Sequence, residues 1–84
     1  MQDIIETLDL YVNKRIPTGG FLEAVLSNNL SEACARADHI NQQRLFQIVQ
    51  YIYNNLPCDC WGSPEKVKSW LNPDREKIMI NKVP

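Results

Sequence analysis

The chain has 84 residues, of which 44% are hydrophobic and 23% charged, and its formal net charge is −1. This length supports one domain with a modest core, and the hydrophobic content argues against a disordered chain. The near-neutral charge argues against a non-specific nucleic-acid-binding protein, although a local basic patch stays open from Lys14, Arg15, Arg36, Arg44, Lys66 and Lys68.

The first predicted helix spans residues 3–14 and is amphipathic. Its apolar residues recur at three- and four-residue steps and are Ile4, Ile5, Leu8, Tyr11 and Val12. Pro17 prevents the helix from continuing. A glycine-marked turn at residues 16–20 then leads into a second predicted helix over 20–28, with Thr18 or Gly19 as its cap.

Asn29 and Glu32 fit a capping box, which predicts a third helix over residues 30–37. Small residues in this helix would allow a neighbouring helix to approach closely, and we expect Cys34 to pack there. The fourth helix is predicted over residues 41–55. Its expected core stripe is Leu45, Ile48, Val49, Ile52, Tyr53 and Leu56.

Phe46 and Tyr51 lie beside the centre of that stripe and widen the apolar surface of the fourth helix. Two interpretations are open. The two side chains contact a ligand or another subunit, or they pack against a neighbouring helix of the same chain, which general experience favours.

A second glycine-marked turn spans residues 60–64 and precedes the last predicted helix. Ser63 is a favoured cap, Pro64 suits the first helical position, and Glu65 complements the helix dipole. Val67, Trp70 and Leu71 are expected to face inward because they recur at helical spacing, and Asn72 and Pro73 end the helix.

These elements predict an all-α fold, a small bundle of four to five short helices. We expect one helical domain over residues 1–72 and a tail over 73–84, in which residues 78–80 form a short strand, an arm on a neighbour or a frayed end. A small core with large apolar side chains left over favours a homo-oligomer. No signal peptide and no apolar run of membrane-spanning length is visible, which predicts a cytoplasmic protein.

Residues for catalysis or metal binding are sparse. Cys58 and Cys60 are one residue apart, too close for a usual zinc ligand pair, so a Cys3His site with Cys34 and His39 is disfavoured and no metal is expected. A Cys34–His39 catalytic pair lacks an orienting group and an oxyanion site. The first turn lacks the lysine of a nucleoside-triphosphate loop. We therefore expect a protein that is not an enzyme and needs no cofactor.

Binding of a phosphorylated small molecule is easier to support, because a helix start offers free backbone N–H groups to an anion. At the two turns, N–H groups and hydroxyls would contact phosphate or ribose, Phe21 or Trp61 would stack on a base, and Arg15 or Lys66 would supply charge. The candidate site residues are Arg15, Thr18, Gly19, Gly20, Phe21, Trp61, Gly62, Ser63 and Lys66. The simpler interpretation is that both turns only cap helices and that Trp61 fills the core.

The segments IPTGGFLEAVL (residues 16–26), YIYNNLP (51–57) and WGSPEK (61–66) together resemble small accessory proteins encoded by tailed bacteriophages and prophages. The resemblance covers roughly residues 8 to 72. It implies action in the cytoplasm of an infected bacterium, where such proteins often inhibit host defence by binding defence proteins or by sequestering cyclic nucleotide signals.

The leading hypothesis is therefore a phage counter-defence protein that sequesters a small phosphorylated, cyclic nucleotide signal as an oligomer. The alternative is a protein–protein inhibitor or adaptor acting on a host defence complex or polymerase through the surface around Phe46 and Tyr51. A DNA-binding regulator built on the second and third helices is the weakest hypothesis, because the net charge is close to zero.

Overall fold

The computed structural model describes residues 1–73, which form five α-helices and one 3-10 turn, with no strand among these residues. The α-helices are α1 Gln2–Lys14, α2 Gly20–Leu26, α3 Leu30–Arg36, α4 His39–Asn55 and α5 Pro64–Leu71, and the 3-10 turn is Cys58–Cys60. The all-α fold class is confirmed. Residues 78–80, for which a short strand, an arm and a frayed end are the open predictions, lie outside the described residues. None of the described helices is long and apolar enough to cross a membrane.

Side-chain caps set three of the helix starts. Oxygens of Asn29, Asp38 and Ser63 each accept a hydrogen bond from the backbone N–H three residues further on, at 2.8 to 3.2 Å. Because Asp38 is a cap, α4 begins two residues before its predicted start. The capping box at Asn29 is only half formed, since the Glu32 carboxylate pairs with Arg36 Nε at 2.8 Å instead of reaching back.

The core lies where α1, α2, α4 and the 3-10 turn meet. Its largest fully buried side chains are Tyr11, Leu8, Leu26, Ile48, Ile52 and Cys60. Val67 of α5 is also buried, and Trp70 and Leu71 pack partly buried against the same cluster. The predicted inward faces of α1 and α5 are therefore confirmed.

Two predictions about packing are wrong. Val49 and Tyr53 were expected in the core stripe of α4, but they are 39% and 73% exposed. The core covers only the narrow side of α4 that carries Ile48 and Ile52, and at about 100° per residue Val49 and Tyr53 point away from it. Cys34 is exposed because Ala33, one position earlier, is the buried residue of α3.

Candidate binding surface

The first glycine turn ends at Gly19, the N-terminal cap residue of α2. Gly19 has φ 104°, a backbone conformation that favours glycine, and nothing lies within 4 Å of where its Cβ would be. The Thr18 hydroxyl bonds the Gly19 carbonyl at 3.3 Å, and Phe21 is half-buried against the core. This turn therefore keeps an open backbone at Gly19, while its aromatic ring is used in packing.

The second glycine turn is occupied by bonds within the protein. Gly62, with φ 116°, donates its backbone N–H to the Leu26 carbonyl at 2.7 Å. The Ser63 hydroxyl accepts from the Lys66 N–H, and Lys66 Nζ donates to the Cys58 carbonyl at 3.1 Å. The polar groups predicted to hold an anion here instead end α2 and begin α5.

The two turns lie at opposite ends of α2. The first precedes Gly20 at the start of this helix, and the second contacts the carbonyl of its last residue, Leu26. Seven residues of α-helix place these ends about 9 Å apart along the axis. Gly20 of the first turn and Pro64 of the second nevertheless line one groove, so the two turns flank α2 without closing around a single phosphate.

The predicted cation Arg15 belongs to a third location. Its guanidinium stacks on the Trp70 ring, 3.8 Å from the ring centroid, and Nη1 donates to the Trp70 carbonyl at 2.8 Å. This arrangement attaches the end of α1 to the end of α5. The side chain that the sequence suggested for charge neutralisation thus has a structural role here.

A shallow groove of about 300 Å³ opens beside the first turn, lined by Gly20, Glu23, Ala24, Ser27, Asn29, Glu32, Arg36 and Pro64. Arg36 is the cation of this groove, and it pairs with Glu32. With Glu23, the groove carries two carboxylates against one guanidinium. This charge pattern does not favour a phosphate.

Trp61 forms the wall of a more apolar pocket between α2, α3 and α4. The pocket measures about 150 Å³, and we call it the Trp61 pocket; its lining is Val25, Asn28, Asn29, Leu30, Ala33, Leu45, Val49, Ile52 and Trp61. The Trp61 and Tyr53 rings meet edge to face, with centroids 6.2 Å apart. The indole N–H of Trp61 is buried and finds no acceptor among the described residues, so packing holds the ring in place.

Next to this pocket, α4 exposes a row of large apolar side chains. Phe46 is 77% exposed, Tyr53 73% and Val49 39%, and we call these three residues the α4 stripe. Val49 also lines the Trp61 pocket, and Leu30, at the rim, is 66% exposed. The stripe and the pocket form one continuous apolar surface.

Part of this surface is predictable from the sequence. The predicted widening of α4 at Phe46 is confirmed, whereas Tyr51 is half-buried against the core. Val49, Tyr53 and Leu30 were missed as surface residues. The available signal was the three- and four-residue spacing of Phe46, Val49 and Tyr53, which marks a second helical face beside the buried one.

The cysteines form no metal centre: within residues 1–73, no group of three or more histidine, cysteine, aspartate or glutamate side chains is arranged to hold a metal ion. All three cysteines are free thiols. Cys60 is buried, its Sγ donates to the Pro57 carbonyl at 3.1 Å, and burial raises the pKa of its thiol. A thiol in this environment is a weak nucleophile.

Comparison with known protein families, curated proteins and solved structures found no match. The resemblance to phage accessory proteins therefore remains a prediction.

Proposed function

We propose that this protein is a non-enzymatic binding protein that acts on another protein through the α4 stripe and the Trp61 pocket. The observation that carries this proposal is the exposure of Phe46, Val49 and Tyr53 along one face of a well-formed helix. Exposed apolar patches of this kind are typical of interaction sites. The resemblance to phage proteins makes a bacterial host protein, a defence component or a polymerase, the expected target, with inhibition as the result.

The chemistry of the surface indicates an apolar partner. Arg44 is the only lysine, arginine, aspartate or glutamate in α4, and its guanidinium makes two hydrogen bonds with the Asp3 carboxylate, at 2.8 and 3.1 Å. The α4 stripe is otherwise flanked by glutamine and asparagine. A target that offers an apolar helix or strand would bury this face without leaving a charged group buried and unpaired.

The Trp61 pocket supplies the means of specificity. A pocket of about 150 Å³ with apolar walls accepts one anchoring side chain of the target. Asn28 and Asn29 at the same pocket offer amides to the backbone of the bound segment. Binding energy would therefore concentrate in the anchor and the residues around it.

The experiment is affinity capture from a bacterial host lysate with three tagged proteins: the wild type, Phe46→Ser and Ile40→Ser. Ile40 is a matched control because it is 62% exposed on the same helix, about 120° around the axis from Phe46 and on the side away from Val49. We expect one host protein to be retained by the wild type and by Ile40→Ser.

The amount of this host protein that is retained should fall at least about tenfold with Phe46→Ser, because the surface loses a central aromatic contact. Circular dichroism of all three proteins checks that the fold is intact. Equal retention by folded Phe46→Ser, or loss with Ile40→Ser as well, would contradict the proposed surface.

Sequestration of a cyclic nucleotide remains the other proposed function, and Gly19 supports it through its open backbone. Because the groove shared by Gly20 and Pro64 carries two carboxylates against one guanidinium, the phosphate site of this hypothesis takes residues from a second protomer. Calorimetric titration of the oligomer with cyclic dinucleotides and cyclic mononucleotides tests it. Binding that Trp61→Ala and Gly19→Ala abolish would support sequestration, and the absence of heat with every nucleotide would count against it.

A further inference from the structure

We propose that the target-binding face is regulated by self-association: in the free protein, two copies cover each other's α4 stripe in a two-fold symmetric homodimer. In this dimer each Phe46 ring enters the Trp61 pocket of the other copy. The inference rests on the proposed function for the role of this face, whereas the dimer itself follows from the shape and charge of the surface.

One chain carries both halves of the contact. Phe46 is the most exposed large hydrophobic residue among those described, and the Trp61 pocket opens on the same side of α4. A cavity of about 150 Å³ with apolar walls is large enough for a benzene ring. A two-fold interface requires such a self-complementary patch, because each contact then occurs twice.

Charge also favours a second copy. In α4 the one Lys, Arg, Asp or Glu is Arg44, which pairs with Asp3, so the α4 stripe itself offers no complementarity to a basic or an acidic partner, whereas a second copy presents an equally uncharged stripe. The net charge of −1 per chain leaves little electrostatic repulsion between copies. Among candidate occupants, a copy of the chain therefore matches the surface in chemistry and in shape.

The geometry of α4 also suits a pairing with its own copy. Phe46, Val49 and Tyr53 follow the alternating three- and four-residue spacing by which two helices pack side by side. At 17 residues, α4 is about 25 Å long and is the longest described helix. Two α4 helices that cross at their stripes bring each Phe46 near the pocket of the other copy.

This dimer has a functional consequence. While two copies cover each other, the apolar stripe is removed from water, and a target must displace one copy to bind. Target capture per chain should therefore fall as the protein concentration rises above the dissociation constant of the dimer.

The test uses two complementary substitutions in the purified protein, with self-association measured by analytical ultracentrifugation. Phe46→Ser removes the inserted ring and leaves the pocket intact. Leu30→Asp places a carboxylate at the pocket rim, and Leu30 is 66% exposed at the first position of α3, where an acidic residue suits the helix dipole. Ile40→Ser is again the control.

We expect the wild type and Ile40→Ser to dimerise. Phe46→Ser or Leu30→Asp alone should raise the dissociation constant of the dimer at least about tenfold. An equimolar mixture of the two variants should associate more strongly than either alone, because the heterodimer retains one Phe46 ring facing one intact pocket. If the substitutions weakened the dimer only by making the surface less hydrophobic, the mixture would not associate more strongly than its components.

A monomeric wild type at the highest attainable concentration would overturn the inference, as would a mixture no stronger than its components. Nuclear Overhauser contacts of the Phe46 ring with residues 78–80 of the same chain would assign the face to the tail and would also overturn it. The proposed function fails separately: a protein that dimerises but captures no target even well below the dissociation constant of the dimer rejects the function alone, and a monomer that captures a target rejects the dimer alone.

Discussion

Tyr11 joins three elements of the fold through one residue. Its side chain is 1% exposed, and its hydroxyl donates to the Cys60 carbonyl at 2.7 Å. Its own carbonyl accepts a hydrogen bond from the Trp70 indole at 3.0 Å. Burial raises the pKa of the Tyr11 phenol, so the group remains a donor at neutral pH. The apolar spacing of α1 predicts that Tyr11 is buried, but its partner is 49 residues away and cannot be inferred from local pattern.

Replacing this tyrosine tests the buried hydrogen bond. Tyr11→Phe should lower the free energy of unfolding by about 1–2 kcal/mol, because the Cys60 carbonyl loses the hydroxyl that faces it. Tyr53→Phe is the control, since Tyr53 is 73% exposed and its change should stay within about 0.5 kcal/mol. Urea denaturation measures both variants. If the two are equally stable, the bond to Cys60 contributes nothing to the fold.

Among the individual elements, three of the five helices within residues 1–73 are short. α2 and α3 have seven residues each and α5 has eight, lengths at which an isolated helix is not stable in water. Their positions were nevertheless predictable to within about two residues. Proline, glycine and capping side chains act within three or four residues of the helix start, so the signal is local to the sequence.

The cap of α5 is the clearest of these local signals to test. Ser63→Ala should lower the free energy of unfolding by about 1 kcal/mol, because the Lys66 N–H loses its acceptor. Ser31→Ala is a matched control: Ser31 is an exposed residue inside α3 rather than a cap, and we expect a change within about 0.5 kcal/mol. Guanidinium denaturation followed by circular dichroism measures both; similar losses would show that serine removal, not capping, causes the effect.

At the scale of the whole molecule, an ion pair connects the first helix to the longest one. Arg44 of α4 holds Asp3 of α1 through both carboxylate oxygens, 41 residues apart in sequence. The hydrogen bond from Arg44 lowers the pKa of Asp3 from 3.8 to about 2. The folded state therefore binds fewer protons here than the unfolded state between these two pH values, so stability from this pair rises with pH across that window.

This sign can be measured with Asp3→Asn. The wild type should be more stable than Asp3→Asn above the unfolded pKa of 3.8, and the difference should shrink as the pH falls toward 2. Asp9→Asn is the control because Asp9 makes no ion pair among the described residues, and its difference from the wild type should lack this trend. Urea midpoints across the acidic range provide the measurement; a constant wild-type advantage down to pH 2 would exclude the pair as its source.

The environments of Val49, Tyr53 and Gly62 could not be predicted from the sequence. Phe46 was predicted to widen α4, but Val49 and Tyr53 were assigned to the core, since both lie on a plausible apolar face of the helix. Likewise, Gly62 has the sequence of an anion-binding turn, yet its N–H is bonded to the Leu26 carbonyl from a distant part of the chain. In both cases the deciding contact is with another element.

Spacing and capping within a few residues are enough to predict the all-α class, the approximate helix limits and the buried faces of α1 and α5. Contacts between elements instead set three features: the side of α4 that the core covers, the position of the two glycine turns at opposite ends of α2, and the stacking of Arg15 on Trp70. No local pattern predicts these features, because burial and hydrogen bonding are shared by residues far apart in the chain, and one helix carries more apolar surface than a core of this size can cover.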